Sequence, residues 1–228
     1  MKTFIVKVLI KSSLIIVGVL GIVFTFLSSS FMGGSSVFLF FTVQSNITII
    51  AITGVFLVND ILVFLKKKPF VNQVLLFFKY VFTIAITITF LVFFTLLAPL
   101  MGISYLLSFN NFSLHAIVPI LAMVDFFLFD TDIKITPLKS LTGCIMPLYY
   151  VAFVYIGVPL GFQYAENLKF PYFFLNYEKY TWFNITKEGL GVFYWIIILM
   201  ICICGLCLLF YLFMRLRQKH MRKVNENE

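Results

Sequence analysis

The strongest constraint on this chain is a series of six apolar runs. They lie near residues 8–28, 37–65, 72–98, 112–130, 140–163 and 190–214. A helix needs roughly 20 apolar residues to cross the hydrocarbon core of a bilayer. Backbone groups in lipid find no water, so each run must satisfy its own hydrogen bonds as a helix. We therefore predict a single all-α domain over residues 1–228, a polytopic bundle of six transmembrane helices.

The composition supports a membrane protein over a soluble one. Of the 228 residues, 62% are hydrophobic and only 11% are charged. Soluble domains carry about 25% charged residues, so a soluble fold of this size has too few charges to cover its apolar surface. The formal net charge of +8 comes from basic residues beside the apolar runs. We take these as signals for topology and anionic lipid headgroups, and expect membrane lipids, not nucleic acid, as partners.

The basic residues are unevenly distributed between the two sides of a six-helix topology. Fourteen of the 17 Lys and Arg residues fall at the N-terminus, in the connections near 66–71 and 131–139, at the start of the third run, or after residue 214. The positive-inside rule places these regions in the cytoplasm. We predict that both chain ends are cytoplasmic, that 215–228 is a basic tail, and that the aromatic connection 164–189 lies outside on the lipid headgroups.

The outer end of the bundle contains two unusual polar sites. On the second helix, Thr42, Ser45 and Asn46 share one face, whereas Gln44 points elsewhere. On the fourth helix, His115 is one of only two histidines in the chain. Both helices run from outside to inside, and the polar residues lie near the start of each, so they share one depth. They serve either as hydrogen-bonding contacts between helices or as a functional site.

These residue types are suited to nucleophilic chemistry. A threonine hydroxyl attacks a carbonyl only when a base takes its proton, and neutral imidazole does this at ordinary pH. Gln44, Ser45 or Asn46 would then orient the imidazole or donate to an oxyanion, and the sequence leaves open which of them does so. Pro119, one turn after His115, lacks a backbone donor, and we expect it to free the carbonyl of His115.

A second polar group is predicted at the inner end. Asn59-Asp60, Asp125 and Asp130 fall at a similar depth, and either Lys66 to Lys68 or Lys79 can pair with them. Asp125 lies ten residues beyond His115, about 15 Å along a straight helix, which is too far for a catalytic triad. We expect this inner cluster to be structural.

No cofactor or metal is predicted. The four cysteines all lie inside apolar runs, and the C-x-x-C formed by Cys204 and Cys207 sits in a membrane helix. We take these cysteines as small apolar side chains, without a redox or metal-binding role. We see no cluster of residues typical of metal ligands.

Several segments resemble a known family. They are Phe-Thr-Val-Gln-Ser-Asn at 41–46, His-Ala-Ile-Val-Pro at 115–119, Asp-Phe-Phe-Leu-Phe at 125–129, Pro-Leu-Tyr-Tyr at 147–150 and Phe-Pro-Tyr-Phe-Phe-Leu-Asn at 170–176. In these the chain is similar to the androgen-induced and androgen-dependent membrane protein family, and to its bacterial six-helix branch in particular. The resemblance spans nearly the whole chain.

The resemblance implies a function. Animal members of the family are threonine hydrolases that cleave, within the membrane, esters between a fatty acid and a hydroxy fatty acid. It implies Thr42 as nucleophile and His115 as general base and acid, acting on a lipid-like substrate from the outer leaflet. The richness in Phe, Ile, Lys and Asn is typical of an AT-rich genome, so we expect a bacterial plasma membrane.

A non-enzymatic role is the alternative hypothesis. A chain of this size with six helices also suits a small-molecule carrier or a lipid-binding protein. Vitamin-uptake modules generally carry small residues at four-residue spacing in the first helix. Here Gly18 and Gly21 are three apart, so this chain fits that class poorly.

Overall fold

The structure, a computed structural model, describes residues 1–27, 34–187 and 189–226. Within these ranges, six helices are long and apolar enough to cross a membrane. They are α1 (Lys2–Leu27), α2 (Phe41–Phe64), α3 (Gln73–Leu100), α4 (Phe109–Phe129), α5 (Pro137–Gly157) and α6 (Val192–Glu226). The predicted fold class, an all-α bundle of six membrane-spanning helices, is confirmed.

The helix ends differ from the predicted boundaries. Helix α1 begins at Lys2 rather than near residue 8. Helix α6 continues through most of the predicted tail, because Arg217 donates to the carbonyls of Phe127 and Leu128 at the end of α4. Gln218 extends this contact by donating to the Thr131 carbonyl over 2.6 Å. The predicted end of the first span at residue 28 and the last two residues of the predicted tail lie outside the described residues.

Polar side chains define where two of the helices begin. Asn72 caps α3, its side-chain oxygen accepting from the backbone amides of Val74 and Leu75 at 3.0 and 3.1 Å. Thr136 caps α5 by accepting from the Lys139 amide at 3.2 Å, and Pro137 follows it at the first helical position. Such caps satisfy amides that have no acceptor within the helix.

The helices pack in a defined order. Helix α1 contacts α2 and α4, α3 lies against α2 and α4, and α6 packs on the first turns of α5. Close approach of α1 to α4 depends on Gly21, because a Cβ there would lie 2.3 Å from the Ser113 hydroxyl. Large apolar side chains also cover the outer surface of the bundle, as expected for helices that face lipid.

An ionic cluster joins four helices at one end of the bundle. Asp125 on α4 accepts from Lys11 on α1 and from Lys79 on α3, each over 2.7 Å. All three side chains are 0% exposed. Lys79 also donates to the Thr53 hydroxyl on α2 over 2.9 Å. Ions buried this deeply are tolerated only when they are paired and hydrogen-bonded.

The rest of the cluster reaches toward the surface. Asp60 lies 3.3 Å from Lys11 and 3.2 Å from Lys7, and Asp130 lies 3.6 Å from Lys11. Three lysines thus balance three aspartates. The predicted inner cluster is confirmed for Asp60, Asp125 and Asp130, with Lys79 as a partner. Asn59 instead accepts from the amides of Phe70 and Val71. Lys66 to Lys68 are exposed, and lysines of α1 take the place proposed for them. Sequence spacing does not reveal this pairing, because α1 meets the other helices only in the folded bundle.

The connection between α5 and α6 closes the opposite end. It contains a 3₁₀ turn at Phe173–Leu175, a helical turn at Tyr177–Tyr180, and an antiparallel hairpin of β1 (Ile185–Thr186) and β2 (Gly189–Leu190). Phe174 is 5% exposed. We expected this aromatic segment to rest on headgroups, but part of it folds into the bundle because its rings pack against one another and against Trp195 of α6.

Candidate active site

The structure brings Thr42 and His115 together. Thr42 lies in the first turn of α2, and its Oγ1 is 3.1 Å from Nε2 of His115 on α4. Both side chains are partly buried. The sequence predicted that Thr42 and His115 lie at one depth in the membrane. In the structure the two residues, 73 apart in the chain, are in direct contact between two helices.

The contacts of His115 define the direction of that hydrogen bond. Its Nδ1 lies 2.9 Å from the backbone carbonyl of Asn111, and a carbonyl only accepts. A neutral imidazole that donates through Nδ1 presents a lone pair at Nε2, so the Thr42 hydroxyl donates to it. The ring of Phe93 stacks on the imidazole at 3.8 Å between centroids and 26° between planes, which holds the ring in place.

A local widening of α4 presents His115 to α2. Residues Ser113–Ile117 form a π-helical turn, in which Val118 donates to the Ser113 carbonyl. Such turns inside α-helices are frequent at functional sites. The next residue, Pro119, has no N–H, so the carbonyl of Leu114 lacks a donor from its own helix. We expected Pro119 to free the His115 carbonyl; because the preceding π turn pairs residues five apart, Pro119 leaves the Leu114 carbonyl without a donor as well.

Asn46 supplies the donor that α4 lacks. Its Nδ2 donates to the Leu114 carbonyl at 3.1 Å and to the Thr42 carbonyl at 2.8 Å. One buried amide therefore fixes the backbone of both residues of the pair, because Thr42 is bonded directly and Leu114 immediately precedes His115. Asn46 contacts the backbone, not the imidazole.

The other two predicted supporting residues bond elsewhere. The Ser45 hydroxyl lies 3.1 Å from the Thr42 carbonyl and 2.8 Å from the Thr89 hydroxyl, which ties α2 to α3. Gln44 points away from this face, as predicted, and donates to the Phe38 carbonyl at 3.1 Å. Neither contact orients the imidazole or aims a donor at the Thr42 hydroxyl.

Two cavities have Thr42 in their lining. The first, about 100 Å³ in volume, is almost wholly apolar and lies between α2, α3, α5 and α6. The second, about 110 Å³, is more polar and contains His115. The two linings have four residues in common: Thr42, Phe93, Leu97 and Tyr172. The Thr42 hydroxyl therefore lies where a molecule with apolar parts on either side of a polar group would place that group.

Tyr172 is a site residue that the sequence analysis missed. Its ring stacks on Phe174 at 5.2 Å and lies 6.1 Å from the ring of Tyr150. The Thr42 side chain, the amides of Phe41 and Thr42 and the Tyr150 hydroxyl lie close enough to act on its phenol, and burial raises the pKa of this phenol to about 12. The sequence places Tyr172 in the aromatic connection 164–189, which we expected to lie on the lipid headgroups. The one available signal was its position in the 170–176 stretch, among the segments that carry the family resemblance.

Within the described ranges, no group of three or more His, Cys, Asp or Glu side chains is arranged to hold a metal ion. Searches against protein-family models, curated proteins and solved structures find no match to this chain. The functional argument therefore depends on the geometry of Thr42, His115 and the two cavities.

Proposed function

We propose that this protein is an intramembrane hydrolase of lipid esters that uses Thr42 as nucleophile and His115 as general base and acid. The observation that carries the proposal is the 3.1 Å contact between the Thr42 hydroxyl and a histidine nitrogen whose tautomer makes it an acceptor. A hydroxyl and a base in hydrogen-bond contact, with the base oriented by a third group, are the signature of an activated nucleophile.

The reaction proceeds in two halves. Thr42 Oγ1 attacks the ester carbonyl carbon while its proton passes to His115 Nε2. The tetrahedral intermediate collapses, the ester C–O bond breaks, and the alcohol leaves with the proton from Nε2. Water then attacks the acyl-threonine, giving a proton to Nε2. Release of the carboxylic acid returns that proton to Thr42. The carbonyl of Asn111 stabilises the transient imidazolium, since it accepts from Nδ1.

The cavities support an ester with two apolar arms. The almost wholly apolar cavity suits an acyl chain, and the cavity that contains His115 suits the alcohol portion. The resemblance to threonine hydrolases of the androgen-induced family agrees with this arrangement. We propose a fatty-acid ester of a hydroxy fatty acid as the substrate type, entering from the outer leaflet of a bacterial plasma membrane.

Purified protein in nanodiscs, assayed with such an ester, tests the proposal. Thr42→Ala and His115→Ala should each lower turnover at least about 10³-fold, because either change removes the nucleophile–base unit. Thr48→Ala is the matched control, since its hydroxyl lies on the same helix and bonds to the Ser45 carbonyl. It should retain wild-type turnover.

An alkyl fluorophosphonate probe provides a second measurement. It should label wild type and the Thr48→Ala variant, but not Thr42→Ala. Wild-type turnover in both active-site variants would overturn the proposal. An unreactive protein that nevertheless retains a stoichiometric lipid after purification would favour the lipid-binding alternative, to which the apolar cavity is equally suited.

A further inference from the structure

The proposed reaction requires a group that the Thr42–His115 pair does not provide. Attack on the ester places a negative charge on the carbonyl oxygen, in a cavity with an almost entirely apolar lining. An unpaired oxyanion in such surroundings is costly, and hydrolases supply hydrogen-bond donors at this point. The polar residues expected for this task have other partners, since Gln44 and Asn46 donate to backbone carbonyls and Ser45 pairs with Thr89.

The Tyr172 hydroxyl is in the required position. Tyr172 and Thr42 line both cavities, and the Thr42 side chain is among the groups close enough to act on the Tyr172 phenol. A carbonyl oxygen under attack is separated from the nucleophilic oxygen only by the carbonyl carbon. A donor beside Thr42 Oγ1 is therefore beside the oxyanion as well.

The hydrogen-bond directions leave the phenol as donor. The Thr42 hydrogen is directed at His115 Nε2, so the hydrogen in the Tyr172–Thr42 contact comes from the phenol. The amides of Phe41 and Thr42 also lie close enough to act on the phenol. These belong to the first turn of α2, where amides have no acceptor within the helix. Donation to the oxygen polarises the O–H bond and strengthens it as a donor.

We propose that Tyr172 is a further catalytic residue, whose hydroxyl donates to the oxyanion while the first two amides of α2 polarise it. This inference rests on the proposed function. It gives the connection between α5 and α6 a part in the chemistry, because that connection carries Tyr172 into the bundle. The high pKa, raised by burial to about 12, keeps the phenol protonated at neutral pH, as a donor requires.

Tyr172→Phe tests the inference directly, with Tyr155→Phe as its matched control. Tyr155 lies outside the lining of both cavities, and its hydroxyl donates to the Leu175 carbonyl at 3.2 Å. In nanodiscs, Tyr172→Phe should lower kcat about 10²–10³-fold. The Kd of an unreactive ether analogue of the ester should stay within about twofold, because a donor to the oxyanion acts mainly in the transition state. Tyr155→Phe should leave kcat within a few-fold of wild type.

Failure of the inference is distinguishable from failure of the proposed function. If Thr42→Ala is inactive while Tyr172→Phe keeps wild-type kcat, the hydrolase stands and the role of Tyr172 is wrong. If wild type does not hydrolyse the ester, both fall. A loss of ether-analogue binding equal to the loss of kcat would also overturn the inference, since Tyr172 would then only shape the cavity.

A second variant keeps the test informative if Tyr172→Phe does not fold. Incorporation of 3,5-difluorotyrosine at position 172 retains the ring and the hydroxyl but makes the phenol more acidic. An oxyanion donor must stay protonated, so the alkaline limit of kcat should move to lower pH. An unchanged pH profile in an active, folded protein would contradict the inference.

Discussion

The two ends of the bundle both contain buried polar groups, but those groups are charged at one end and neutral at the other. The ionic cluster around Asp125 pairs three lysines with three aspartates, and its central side chains are 0% exposed. The site around Thr42 and His115 is a set of neutral hydrogen bonds that opens onto two cavities. Within one bundle, paired buried charges join helices, whereas the neutral cluster leaves Thr42 accessible from two cavities.

This difference leads to opposite expectations for substitutions. A change in the ionic cluster leaves a charge buried without its partner, so it should act on the stability of the whole bundle. A change at the neutral site removes a hydroxyl or an amide whose partners can turn to a cavity, so it should act more on turnover than on stability. Three substitutions test this contrast, in order of expected effect.

Asp125→Ala should be the most destabilising of the three. It removes the carboxylate shared by Lys11 and Lys79 and leaves both ammonium groups buried. Breaking a buried ion pair from one side typically costs about 3–5 kcal/mol. Denaturant unfolding of the detergent-solubilised protein measures this loss, with Thr42→Ala as the control that should unfold within about 1 kcal/mol of wild type. Equal stability of Asp125→Ala and wild type would show that the lysines reach water and that the cluster is not closed.

Asn46→Ala should have an intermediate effect, and it should affect both properties. It leaves the Leu114 carbonyl without its donor, which typically costs about 1–3 kcal/mol. It should also lower kcat, because Asn46 fixes the backbone on either side of the Thr42–His115 contact.

Gln44→Ala is the control for Asn46→Ala. The Gln44 side chain bonds to the nearby Phe38 carbonyl in an exposed contact, so its loss should leave kcat unchanged and stability within about 0.5 kcal/mol. A drop in stability without a drop in kcat for Asn46→Ala would mean that the π turn holds His115 unaided.

The sequence predicted more of the fold than of the site. Continuous apolar runs indicate membrane spans directly, because bilayer thickness and backbone hydrogen bonding leave few alternatives. The shared depth of Thr42 and His115 followed from helix order and rise per residue. The ion pair between Lys11 and Asp125 could not be predicted in this way, because pairing between α1 and α4 depends on which helices touch.

The missed features at the site have local physical causes. A π turn shifts the hydrogen-bond pattern by one residue, so Pro119 left Leu114 in need of a donor and gave Asn46 its role. Tyr172 was missed because an aromatic-rich loop between spans is typical of headgroup contact. Only the folding of that loop into the bundle brings its hydroxyl to Thr42.

Lys7→Ala should have the smallest effect of the three and defines where the closed cluster ends. Lys7 pairs with Asp60 over 3.2 Å, but its side chain is 28% exposed. Partly hydrated pairs contribute about 0–1 kcal/mol, since water compensates for the lost partner. Asp60 also retains Lys11 at 3.3 Å. The same unfolding assay should therefore show a change several times smaller than that for Asp125→Ala.

Lys66→Ala is the baseline for Lys7→Ala, because Lys66 is exposed and should contribute nothing measurable. A loss for Lys7→Ala as large as that for Asp125→Ala would mean that the ionic cluster is closed along its whole length. The pairing of buried charges would then extend to the membrane surface. The two ends of the bundle would differ more strongly than the 28% exposure of the Lys7 side chain implies.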